Sequence, residues 1–209
     1  MRCGRFTLFC LVAECYDRQH SCEVSEHGVV AFVLKYRLAR EKGSTYTIEG
    51  DELQDVKRAL RLVRSRAREW ALDPQRIGVM GFSAGGELAA LAATRYDSGL
   101  AGAGDPIERE SSKPAFQTLL YPAIPRDMRL SAETPPAFLV CGEKDRPEIA
   151  QGLPELYLSL KRAGVSAELH VYAGVGHGFG MRESNRPPVS DWPRLFLEWL
   201  EVQGFLKQK

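Results

Sequence analysis

The sequence predicts an α/β fold, a three-layer α/β/α sandwich with a mostly parallel sheet, and three observations carry that prediction. Strand-like and helix-like stretches alternate from end to end. The strand stretches are short apolar runs such as Val29–Leu34, of the kind that parallel sheets bury on both faces. One of them runs into a helix through a glycine-rich turn, Gly81-Phe82-Ser83-Ala84-Gly85-Gly86. A length of 209 residues suits one domain, and residues 1–209 are read as one.

The elements follow in order. Phe6–Ala13 reads as a strand, Glu14–Glu26 as a short helix of poor pattern, and Val29–Leu38 as the strongest strand. Asp51 to Leu72 carries Leu53, Val56, Leu60, Val63, Ala67 and Trp70 at spacings of 3 and 4, one apolar helix face. Lys57, Arg58, Arg61, Arg64, Arg66 and Arg68 fill mainly the rest and read as a solvated face. Asp73-Pro74 is expected to end this helix. Ile77–Phe82 is the next strand, and Gly85–Thr94 a helix of small residues. Phe116–Tyr121 and Ala137–Cys141 read as strands, Pro154–Gly164 as a helix. Ser166–Tyr172 alternates, with Ala167, Leu169 and Val171 on the face expected to be buried. Trp192–Leu200 closes the chain as an amphipathic helix, while Tyr96–Lys113 and Ala123–Pro136 read as loops.

Composition narrows the function classes. The 28 basic and 27 acidic residues nearly cancel to +1, so no global field recruits nucleic acid, acidic substrate or an anionic membrane. Clean apolar runs stop far short of the roughly eighteen residues a membrane span needs. Of the five cysteines, Cys3, Cys10, Cys15 and Cys22 crowd the start of the chain. An odd number without a C-x-x-C pair indicates neither a disulfide framework nor a zinc ribbon. A metal set of Cys15, His20 and Cys22 is a poorer reading than small apolar side chains in a reducing, cytoplasmic compartment. Residues 1–13 imitate a secretion signal, but Leu11 stands where a small residue belongs, so they are read as mature chain.

Chemistry concentrates in three places. In Gly81-x-Ser83-x-Gly85, a serine sits on a sharp bend between strand and helix. Side chains two residues to either side would clash there, and the helix aims its first amides, that of Ala84 included, at charge developing on an attacked carbonyl. His177 lies in Gly174-Val175-Gly176-His177-Gly178-Phe179-Gly180, a loop just past the last strand whose glycines suit close approach rather than core packing. The other histidines, His20, His27 and His170, have no such setting. Glu143 and Asp145 both follow the strand Ala137–Cys141, and Asp145 is the better placed acid because it lies further out in the turn.

These motifs, with Ala31-Phe32-Val33-Leu34-Lys35-Tyr36-Arg37-Leu38, Asp73-Pro74-Gln75-Arg76-Ile77-Gly78-Val79-Met80 and Thr134-Pro135-Pro136-Ala137-Phe138, resemble the α/β-hydrolases over residues 27–206. The resemblance is to small acetyl-xylan and feruloyl-type esterases and to dienelactone-hydrolase and prolyl-oligopeptidase-like domains. It implies a carboxylic ester hydrolase with Ser83, Asp145 and His177 as triad, the Ala84 amide in the oxyanion hole, and no cofactor or metal. The implied substrates are short-chain esters, acetylated carbohydrates among them. Two features depart from the family. The usual N-terminal antiparallel strands are lacking, residues 1–25 being divergent. The stretch Val12–Arg18, where a glycine-rich loop normally gives the second oxyanion donor, holds no glycine. Ala13–Asp17, by an amide or the Tyr16 hydroxyl, is the expected substitute. That loss motivates a rival reading, a hydrolase-like binding protein that keeps the triad but is catalytically impaired. An apolar strand at residues 5–13 near a sheet edge further predicts a homodimer burying it.

Overall fold

The computed structural model describes residues 5–11, 28–126 and 128–206, the first of these segments as backbone alone. The expected helix Glu14–Glu26, the side chains of Cys3, Cys10, Cys15 and Cys22, His20, His27, and the stretch Val12–Arg18 with Tyr16 lie outside the described residues.

Six parallel strands form one sheet: β1 (Arg5–Leu11), β2 (Val29–Leu34), β3 (Leu72–Phe82), β4 (Gln117–Leu120), β5 (Ala137–Gly142) and β6 (Ala167–Tyr172), in the order β2-β1-β3-β4-β5-β6. The helices are α1 (Leu53–Ser65), α2 (Ala84–Thr94), α3 (Pro147–Ala150), α4 (Gly152–Arg162) and α5 (Trp192–Val202). The crossovers through α1, α2 and α4 all advance the same way across the sheet, so right-handed connections set them on one face. On the other face, α5 brings Phe196 and Trp199 against Phe138, with ring centroids 5.5 and 5.7 Å apart. Gly78 makes room for this packing, because a Cβ there would stand 2.0 Å from the Phe116 ring.

The sheet corrects two expectations at its first edge. β1 is paired on both sides, Leu8 with Ala31 of β2 and with Gly78 of β3, so its backbone offers no open edge to a second chain. The strong strand expected over 29–38 is instead the edge strand, ends at Leu34, and leaves Val33 56% exposed. Beyond it Arg37 forks onto Asp55 of α1, with Nη2 donating to Oδ1 at 2.7 Å. This contact fixes the segment after β2 on top of the helix.

The helix expected to reach Leu72 stops at Ser65. Its last turn tightens, with the Ala67 amide donating to Arg64 O, and Ala71 adopts φ 55°, which no helix continues. Ala67 is still buried and Trp70 still packs on Phe32, 5.1 Å between rings, but both do so from turns. Pro74, expected as a helix stop, lies within β3. It is tolerated because Arg5 pairs with Leu72 while Thr7 pairs with Ile77, so residues 73–76 bulge out of the ladder and no amide is needed there.

The basic stripe divides: Arg66 and Arg68 are exposed, as expected of a solvated face, but the four cations from Lys57 to Arg64 are engaged. The Arg61 side chain is 6% exposed; it pairs with Asp97 and Glu108 and donates from Nε to Glu110 O at 3.1 Å. Arg64 donates to Ser111 O and Lys113 O, Arg58 meets Asp105 and Glu108, and Lys57 reaches Asp97. Four cations thereby clamp the long connection 96–113 to the helix. β6 brings a smaller correction: Val171, on the face expected to be buried, is exposed, as an edge strand allows.

Candidate active site

Ser83, Ala84, Asp145 and His177 all sit at the carboxyl end of the sheet, and the local reason can be read strand by strand. β3 ends at Phe82 and α2 begins at Ala84, leaving Ser83 alone to make the bend at φ 52°, ψ −117°. Such a conformation costs a non-glycine residue about 1–3 kcal/mol and holds only because the surroundings dictate it. Gly81 is one such constraint, since a Cβ there would lie 2.0 Å from Gly85 O. Gly86 is another, with its Cβ position 2.9 Å from Pro122 Cβ. The Ser83 amide is tied to β4 by donation to Leu120 O at 2.9 Å.

A serine at a helix N-cap ordinarily turns its hydroxyl back to accept from a first-turn amide. Ser83 makes no such bond. Its Oγ lies 2.8 Å from His177 Nε2 instead. Nδ1 of the same ring lies 2.9 Å from Asp145, whose side chain is fully buried. An ionised carboxylate can only accept, so Nδ1 carries the proton and Nε2 is left to accept from the Ser83 hydroxyl. A trio wired this way suits transfer of an acyl group, because the hydroxyl can lose its proton as it attacks.

The loop carrying His177 is held from several sides. The Lys144 backbone amide donates to Val175 O at 2.8 Å across the end of β5. Gly142 permits that approach, since its Cβ would stand 2.2 Å from the same oxygen. Beyond the histidine, the Trp192 indole donates to Gly180 O at 2.9 Å, and the Asn185 amide donates to Phe179 O at 3.0 Å. Asp145 also accepts from the Arg146 amide at 2.7 Å. Its rival Glu143 is turned away and accepts from the Gly174 amide at 2.9 Å, bracing the start of the loop.

The Ala84 amide opens α2, where first-turn N–H groups have no acceptor within the helix. The expected second donor in Ala13–Asp17 lies outside the described residues. Among the described residues, no cluster of three His, Cys, Asp or Glu side chains is placed to hold a metal, and no helix is long and apolar enough to cross a membrane. His170 lies 2.8 Å from Glu168 through Nε2 and packs on Phe138, away from the trio.

Sequence reading missed Tyr121. It follows β4 at φ 39°, is fully buried, and sets its ring edge-on to His177 at 4.9 Å and to Phe179 at 4.6 Å. The available signal was positional, because Tyr121 directly follows its strand at the same carboxyl end of the sheet as Ser83. Cys141, at the end of β5, is buried, and its thiol is pushed up to about 11 by that burial and by the Asp145 charge.

Comparisons with known proteins converge on one group. The BD-FAE family pattern matches residues 13–128. An acetylxylan esterase of Xylanibacter ruminicola is 28% identical over 198 residues, 78% of this chain. The chain spans only 37% of that relative's length. The crystal structure of an acetyl ester-xyloside bifunctional hydrolase from Caldicellulosiruptor lactoaceticus superimposes with a TM-score of 0.83 at 31% identity, over 97% of this chain and 85% of the other. A thermophilic esterase from Thermogutta terrifontis shares the fold, with a TM-score of 0.79 at 24% identity over 98% and 84%.

Proposed function

Because the chain belongs to the BD-FAE family of α/β-hydrolase-like esterases, we propose that it is a serine-type carboxylic ester hydrolase acting on short-chain acyl esters, acetylated sugars among them. The 2.8 Å contact between Ser83 Oγ and His177 Nε2 carries this reading. The names of the acetylxylan esterase and the acetyl ester-xyloside hydrolase support the choice of substrate class.

In this reading Ser83 Oγ attacks the acyl carbon while Nε2 of His177 takes its proton. The buried Asp145 carboxylate meets the imidazolium charge, and the Ala84 amide donates to the oxyanion. Collapse of the tetrahedral intermediate expels the alcohol, which leaves with the proton held by His177. Water then attacks the acyl-Ser83 ester, giving its proton to the same nitrogen, and the carboxylic acid departs as Ser83 recovers its hydrogen.

A fluorophosphonate probe together with p-nitrophenyl acetate hydrolysis tests the proposal. Ser83 is expected to be labelled, and Ser83→Ala to abolish both signals. His177→Ala is expected to cost nearly as much as Ser83→Ala, with the double variant scarcely worse, since members of a triad act as one unit. An unlabelled Ser83 in folded protein would overturn the esterase reading and leave the rival, a catalytically impaired hydrolase-like protein, standing.

A homodimer is also proposed, through a different surface from residues 5–13. Among the described residues β2 has a single neighbour, and a second copy pairing along its free edge would cover the exposed Val33. Light scattering that gives the mass of one chain at micromolar concentration overturns it.

A further inference from the structure

A cavity of about 230 Å³ opens beside Ala84, the residue that follows Ser83, between the segment after β2 and the first turn of α2. Its lining includes three carboxylates, from Glu41, Glu52 and Glu87, one guanidinium, Arg40, and Tyr36. Arg40 is already engaged, because its Nη2 donates to Glu87 Oε2 at 2.8 Å. The formal balance of these groups is 1 − 3 = −2. Glu52 is 6% exposed, and its Oε1 accepts from the Ala39 amide at 2.6 Å. Burial pushes its carboxyl above the ordinary range, aided by Glu87 and Asp55 and opposed by the Ala39 amide and Arg40. Leu38 and Ile48 add apolar surface.

A chamber rich in acceptors, with its one cation engaged, selects groups that donate hydrogen bonds and repels anions. Its volume would hold about seven or eight waters at roughly 30 Å³ each, far more than the methyl of an acetyl group fills. The apolar patches suit the C–H face of a saturated ring.

We infer that this cavity receives the alcohol part of the ester, an uncharged ring bearing several hydroxyls, with Glu52 as a specificity-determining residue that accepts from one of them. The inference rests on the esterase reading and assigns a place to the leaving group. An alcohol carrying a carboxylate would meet the excess negative charge and bind poorly.

The test compares kcat/KM for a mono-acetylated methyl xyloside with that for p-nitrophenyl acetate, whose leaving group has no hydroxyl array. The measurements use the whole chain, Glu52→Gln, and Leu38→Trp, which fills the cavity without touching its charges. Each variant is first shown to melt cooperatively. The ratio of the two kcat/KM values is expected to fall about tenfold or more in Glu52→Gln, the range for one hydrogen bond to a charged acceptor. In Leu38→Trp it should fall at least as far, through a raised KM for the xyloside. A ratio preserved within twofold in Leu38→Trp overturns the cavity assignment and leaves the esterase reading standing. A whole chain that hydrolyses neither ester overturns both.

Discussion

Both carboxylate oxygens of Asp145 lie 2.9 Å from a single atom, Nδ1 of His177. The ring proton thus faces the middle of the carboxylate rather than one oxygen, and the tautomer is fixed from both sides. Asp145→Asn breaks this symmetry, because the amide can present its NH2 to Nδ1 and drive the proton to Nε2, where it blocks acceptance from Ser83. The expected loss in kcat on p-nitrophenyl acetate is about 10⁴, while Glu143→Gln, which alters only the brace on Gly174, should change it no more than about threefold. A loss below tenfold for Asp145→Asn would remove Asp145 from the proposed triad.

The two elbow glycines should differ in cost. At Gly81 an added Cβ meets rigid backbone, 2.0 Å from Gly85 O, whereas at Gly86 the nearest atom is Pro122 Cβ at 2.9 Å. Gly81→Ala is therefore expected to destabilise by about 3 kcal/mol or more and Gly86→Ala by about 1–2 kcal/mol. Urea unfolding gives both values, and a reversed ranking would contradict the packing described for the bend.

Arg61 holds the connection 96–113 through two carboxylates and a carbonyl, so Arg61→Leu should lower stability. The expected cost is about 1–3 kcal/mol, less than for a fully buried pair, because Asp97 and Glu108 keep access to water. Burial raises the Asp97 carboxyl, but donation from Arg61, the Gly99 amide and Lys57 outweighs it and leaves the group more acidic than usual. A carboxyl lowered in the folded state stabilises above its unfolded value and loses that contribution as pH falls below about 4. Thermal melts at pH 5 and pH 3 check the sign: the Tm of the natural chain should drop further than that of Asp97→Asn.

With its thiol at about 11, Cys141 stays protonated at pH 8 and should resist iodoacetamide in the folded protein. Peptide mapping by mass spectrometry would find it unmodified in native protein and fully alkylated after denaturation. Burial outranks the Asp145 charge as the cause, so Asp145→Asn should leave it protected. Because its raised value favours the protonated fold, the stability it confers is present below about 9 and disappears as pH rises toward 11.

Much of the site was legible because it is local or positional. The glycines of the Gly81–Gly86 hexapeptide mark a sharp bend, although Leu120 and Pro122 help to hold it, and the glycines around His177 mark a loop that other backbone approaches. Asp145 was separable from Glu143 by its place in the turn. What escaped depends on partners distant in sequence. Nothing near Arg61 reveals that Asp97 and Glu108 will fold over it, so the basic stripe read as solvated. The end of α1 was misjudged for a similar reason: Ala67 and Trp70 keep the apolar spacing while Ala71 reverses the chain. The edge position of β2 likewise depends on strand order, which no single strand encodes.

The hydrogen bonds that tie Ser83 to Leu120 and Tyr121 to Val140 join strands that follow one another along the chain. The bend at Ser83 joins neighbours in sequence, but Asp145 lies 62 residues further on and His177 lies 94. Loop closure over such distances is slow compared with the formation of local turns and helices. A folding chain can thus form its local turns and helices before Ser83 meets its base, and in the esterase reading it is expected to be inert toward esters during that interval. Recovery of p-nitrophenyl acetate hydrolysis after dilution from denaturant should lag behind the return of helical circular dichroism, timing the docking of β5 and β6 against the older half of the sheet.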